Sequence, residues 1–225
     1  MINKLITLIL LSLISVSASA MPGLPGMSEK SSEPEASEES AQSAADSQEA
    51  LVGQFKETLS SVILAQRYLA LAFDQADEAE ELAIVIEGLQ GECGTKCMKR
   101  SVKVSEAANK SIGKLLKSET VITSEGKTNY LLALPPYIKG TLSAKDLLTE
   151  AKNWGKQATG EIKSAGMMNA PKIKKKLDAG MYVVQQTPKL IKTWAKATKQ
   201  ITTYAKASNI DLSSIKGANT DIFSD

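Results

Sequence analysis

The sequence contains no histidine, and of its 225 residues only two are cysteine and 4% aromatic. Each shortage closes off a class of chemistry. Without histidine, the commonest general base and the commonest metal ligand are both missing. A zinc site would have two thiols and no imidazole to complete it. Any nucleophile would have to rely on lysine or a carboxylate. The pairs Ser101–Lys103 and Ser143–Lys145 are ordinary neighbours in a lysine-rich chain. So few aromatics argue against a glycan-binding cleft. G-x-S-x-G, H-E-x-x-H and a phosphate-binding glycine loop are all absent as well. The sequence therefore predicts a protein that is not an enzyme and holds no cofactor or metal.

Sustained alternation of period two is also missing, as is an Asn-Gly hairpin signal, so strands are not expected. Beyond the N-terminus no long apolar run is free of charge, because Arg67 interrupts the best one, Val62–Phe73. At the N-terminus itself, Lys4 precedes an apolar stretch from Leu5 to Val16, and Ala18-Ser19-Ala20 follows. That pattern is a secretory signal peptide over residues 1–20, cut before Met21. The apolar stretch falls short of the roughly twenty residues that span a bilayer. The expected address is the periplasm, with secretion as the alternative and no transmembrane segment after cleavage.

What is present is organised by charge. The formal net charge is only +2. Yet Met21–Gly94 holds three basic residues against fifteen acidic, and Thr95–Lys206 twenty-two against seven. The simplest expectation is that the two packed halves partly neutralise each other and the remainder is solvated. Nucleic acid is not an expected partner. Lysine supplies nearly all the positive charge, whereas arginine is the usual base reader, and an exported chain seldom meets nucleic acid.

Residues 21–48 are rich in Ser, Glu and Ala, and read as a disordered acidic linker with too little apolar surface to offset ordering. A helical domain is expected over 49–207 and a polar C-terminal tail over 208–225. The longest helical signal runs from Asp46 or Ser47 to Gly91. Val52, Phe55, Leu59, Val62, Gln66, Leu69, Phe73 and Ala76 alternate spacings of three and four along it. Between Val62 and Phe73 the apolar stripe surrounds the helix, which places it inside something larger. Asp74, Asp77, Glu78 and Glu81 would share one face of its second half. A regular helix lacks the loop geometry of a calcium site, so a solvated or lysine-paired face is expected.

Cys93 and Cys97 lie four apart in an exported chain, and a short-loop disulfide is predicted. A second helix is expected from about Lys99 to Lys117. A third should start at Pro135-Pro136, where the chain bends, and run towards Ala165. Its stripe is mostly Ala, Gly and Thr, suited to close helix packing or to a shallow groove. Gly155 and Gly160 imply a close contact or a break. Further helices are expected from Pro171 to about Gln186 and from the Thr187-Pro188 start signal onward. The fold class is therefore all-α, a bundle of about five helices around a long central N-terminal helix.

Two binding readings follow. One is a cell-envelope protein-interaction module, an accessory or chaperone-like factor. The other is a binder of anionic lipid or another amphiphile. In that reading Lys172, Lys174, Lys175 and Lys176, with Lys189, Lys192, Lys196 and Lys199 beside Trp194 and Tyr204, rest on a headgroup surface or enclose an acyl chain. The interior decides between them: a filled core favours surfaces for a protein partner, and an apolar tunnel favours lipid.

Overall fold

A computed structural model describes residues 43–211. The expected signal peptide, the acidic linker up to residue 42 and the tail from residue 212 lie outside the described residues. The described chain forms six α-helices and no strand: α1 (Ala44–Ala72), α2 (Ala76–Gln90), α3 (Thr95–Lys117), α4 (Ser124–Ser164), α5 (Gly166–Lys176) and α6 (Asp178–Ala207).

α1 begins earlier than expected. Ser43 is its N-cap, accepting from the Asp46 backbone N–H at 3.2 Å. Residues 44–48 are thus helical rather than linker. Ala44 is fully buried: its N–H donates to Glu161 and its carbonyl accepts from Trp154.

The single long helix to Gly91 is two helices. Asp74 adopts φ 57° between α1 and α2. The Gln75 N–H reaches back to the Ala70 carbonyl at 2.9 Å, and the Asp74 N–H to Leu71. These bonds close α1 with a Schellman turn in which aspartate takes the left-handed position that glycine usually fills. Asp74 therefore leaves the shared carboxylate face. Glu78, on α2, accepts from Ser111 Oγ at 3.1 Å, and burial pushes its carboxyl above the usual range against the lowering effect of that bond.

The proline signals also resolve differently. α4 passes through Pro135 and Pro136 without ending, and α6 passes through Pro188. Pro135 and Pro188 face solvent, where water can satisfy the carbonyls left without partners. On either side of the Pro pair, α4 is tied to α6 by two tyrosines. Tyr130 Oη donates to Ile201 O at 2.5 Å and Tyr137 Oη to Trp194 O at 2.7 Å. Thr187 is not an N-cap; its hydroxyl bonds back to Val183 O at 2.8 Å, inside α6. The break that does occur falls earlier, at the buried Leu177.

Packing follows residue size. α4 runs antiparallel to α1, and a Cβ on Gly126 would stand 2.5 Å from Ala72 O and one on Gly140 2.6 Å from Val62 Cγ2. Thr141, Ala144, Ala151 and Ala158 continue this stripe and are all buried. Gly155 meets Val184 on α6, while Gly160 meets nothing and α4 continues past it to Ser164. α6 lies parallel to α1, with Phe55 edge-on to Tyr182 and Phe73 edge-on to Tyr204. α3 joins through Gln66, fully buried on α1, whose Nε2 donates to Ser105 O at 3.0 Å. α1 thus meets α2, α3, α4 and α6. Its expected all-round apolar stretch is buried at Val62, Ile63, Leu69, Ala70 and Phe73. The valine, isoleucine, leucine and phenylalanine side chains each contribute about 1.5–3 kcal/mol when fully buried.

Candidate functional site

Cys93 and Cys97 are joined by a disulfide. It spans the start of α3 and the corner that follows α2, and Cys93 packs against the core. Among the described residues no group of three acidic or thiol side chains comes together to hold a metal. Ser101 is buried, with its hydroxyl donating to Cys97 O at 3.2 Å, and is not paired with the exposed Lys103.

All eight lysines singled out in the sequence are exposed, but the fold separates them into two groups. Lys172, Lys174, Lys175 and Lys176 lie on α5. Lys189, Lys192, Lys196 and Lys199 lie on α6, and Asp178 to Lys196 alone covers about 27 Å of helix at 1.5 Å per residue. The aromatic residues expected beside them are not at the surface. Trp194 is 1% and Tyr204 2% exposed. The face of α6 that carries Leu190, Trp194, Ile201 and Tyr204 is spent on the core, so this helix does not lie on a lipid surface with its aromatics.

The α6 lysines instead face a second row that the sequence reading missed. Lys110, Lys114 and Lys117 project from α3 at spacings of four and three, which keeps them on one side of that helix. The two rows line a groove of 420 Å³ in which Lys110, Lys114, Lys117, Lys192 and Lys196 stand against the single carboxylate Glu106. It continues into an adjoining groove of 330 Å³ lined by Lys117, Lys196 and Lys199, with Glu119 and Tyr204. The helices are held close at its floor, where a Cβ on Gly113 would stand 3.0 Å from Gln200 Oε1. Asn109 Nδ2, also in the lining, is buried without a hydrogen-bond partner. The spacing 110/114/117 is visible in the sequence, but only the pairing of α3 with α6 shows which lysines it joins.

None of these six lysines forms an ion pair with a described carboxylate. Leaving aside Lys145 and Asp211, which are engaged elsewhere, the described residues hold one ion pair, Lys139 Nζ to Glu57 Oε1 at 3.0 Å. It is largely exposed and contributes little. Lys139–Glu57 is also a link between the acidic and basic stretches, and the six groove lysines take no part in it. A separate apolar groove of 540 Å³ lies beside the disulfide, lined by Ile84, Val85, Gly88 and Cys97 with Lys96 and Arg100.

Among the described residues no helix is long and apolar enough to cross a membrane. No protein-family model matches the sequence, and no curated protein or solved structure matches it.

Proposed function

We propose that this chain is a non-enzymatic, exported protein of the cell envelope. In this reading it is a helical bundle around α1 that grips an acidic segment of a protein partner in the α3–α6 groove. The observation that carries the reading is the two facing lysine rows, six lysines against the carboxylates Glu106 and Glu119, with none of the six in an ion pair with a described carboxylate. Six like charges around a narrow groove repel one another, and an anionic ligand that enters relieves that repulsion while gaining attraction to both walls. An extended acidic segment suits a groove open along its length better than a small ion does.

Three further features support it. The small-residue stripe of α4 is filled by α1, so the interior is packed where an enclosed acyl chain would have needed room. The disulfide fits an oxidising compartment. Ser101, one of the two serines weighed as nucleophiles, is buried and donates its hydroxyl to the Cys97 carbonyl rather than to Lys103.

The test is fluorescence anisotropy of a labelled glutamate-rich peptide against the mature protein and a K114E/K192E/K196E variant. Wild type should bind with an affinity that falls steeply with salt, and the triple reversal should weaken binding at least about tenfold. Equal affinity for the two proteins would remove the groove from consideration. A photo-crosslinker at Lys196 in the native envelope then identifies the partner.

A further inference from the structure

The short helix α5 stands apart from every other helix in one respect: none of its residues is buried. It is reached through a sharp turn. Ala165 closes α4 in helical geometry, and Gly166 then takes φ +69°, a left-handed conformation that glycine adopts at little cost. The turn throws Met167 and Met168 outward, 95% and 90% exposed. They are the two most exposed large apolar side chains of the described residues apart from Val121, at 93%. Ordinary surface packing does not account for two adjacent methionines with almost no protein contact. Only Ile173 of α5 packs against the core, and at the end of α5 the Lys176 carbonyl accepts from Gln48.

Along the chain, the charge between the flanking carboxylates Glu161 and Asp178 is of one sign. From Ile162 to Leu177 the chain carries Lys163, Lys172, Lys174, Lys175 and Lys176 and no acidic residue. All five lysines are exposed, and none forms an ion pair with a described carboxylate.

We propose that the α4–α5 tip is a contact site for an anionic lipid bilayer. Met167 and Met168 enter the interfacial layer, and the five lysines rest among the phosphate headgroups. Reversible membrane attachment takes two weak signals together, an apolar insertion and a basic cluster. The tip supplies both within sixteen residues. A projecting point matches a soft, deformable layer. Protein partners are more often met by grooves or broad patches, and the grooves described above lie on other helices. Unbranched methionine side chains adapt to such a layer without a shaped pocket. This inference stands independently of the α3–α6 groove, whose lysines lie on different helices from the five used here.

The experiment is cosedimentation of the mature protein with vesicles of phosphatidylcholine, with and without phosphatidylglycerol. Wild type should pellet with the phosphatidylglycerol vesicles and weakly with the neutral ones. M167S/M168S should weaken that binding about tenfold, and K172Q/K174Q/K175Q/K176Q should abolish the preference for anionic lipid. All six positions are exposed, so circular dichroism should show the fold intact in both variants. Anionic vesicles should also slow peroxide oxidation of Met167 and Met168 in wild type. The K114E/K192E/K196E groove variant should bind vesicles as wild type does, which keeps the two surfaces distinguishable. The inference is overturned if wild type fails to bind anionic vesicles, if M167S/M168S binds them equally well, or if the lysines of α5 affect only the glutamate-rich peptide.

Discussion

Trp154 Nε1 donates to the backbone carbonyl of Ala44 at 3.0 Å, joining residues 110 positions apart. The same indole lies flat in the space that Gly180 leaves open, where a Cβ would stand 2.3 Å from the ring. One side chain thus fastens the beginning of α1 to α4 and α6 together. Limited proteolysis of the mature protein should remove residues up to about Ser43 and stop there, rather than at 48. Trp154→Phe removes the bond, costs about 1 kcal/mol, and should let cleavage advance into the first turns of α1. An unchanged fragment mass would show that the indole N–H does not anchor the helix.

Two glycines of α4 should respond to alanine with opposite signs. At Gly140 the new methyl meets Val62 Cγ2 at 2.6 Å, against a helix packed too closely to yield. The expected loss is about 1–3 kcal/mol. At Gly160 nothing lies within 4 Å, and alanine should stabilise the helix by about 0.4–1 kcal/mol. Urea denaturation of both variants measures the pair, and a gain at Gly140 would contradict the packing described.

The disulfide closes a loop of only four residues' separation. The chain-entropy relation assigns such a short loop about 2 kcal/mol. C93S/C97S should therefore melt at a lower temperature than wild type while keeping its helical circular dichroism. Mass spectrometry without reductant should find wild type two protons lighter than its reduced form.

Alkaline pH should unfold the protein cooperatively through its tyrosines. Burial pushes the phenols of Tyr130 and Tyr137 well above the ordinary value of 10.0, and that of Tyr182 up to about 12. Below pH 10 these groups are protonated in both folded and unfolded chains. Above it the unfolded chain releases their protons first, so stability falls as pH rises from 10 towards and beyond 12. Ultraviolet titration should show the Tyr130, Tyr137 and Tyr182 phenols ionising only at the unfolding transition. Ionisation of these phenols in a single non-cooperative step would overturn this expectation.

Much of the helical framework was legible because apolar spacing reports a buried face directly. The stripe through Phe55, Leu59, Val62 and Leu69 is buried as read, and so is the alanine stripe of α4. The helix boundaries were less legible, and for particular reasons. Asp74 ends α1 in a conformation that the chain announces with neither glycine nor proline. Pro135 and Pro188 are normally stop signals, yet exposed positions and strong anchoring on the opposite face let α4 and α6 run through them. The α5 lysines were recognisable as a run. The groove was not, since α3 and α6 lie far apart in the sequence and only tertiary packing sets their lysines face to face. The exposure of Met167 and Met168 was not legible either, because nothing local shows that no other helix covers them.

The long-range ties of α1 also govern when the protein can become folded. Ala44 bonds to Glu161, and Gln48 to Lys176 and Gly180, 117 to 132 residues further on. During synthesis at about 5–20 residues per second, the first helix waits roughly 6–26 seconds for those partners to emerge. Until they do, Ala44 and Gln48 lack the partners that hold the start of α1 in place. The start of α1 is therefore fixed only after most of the chain has been made, so folding is completed late in synthesis rather than helix by helix.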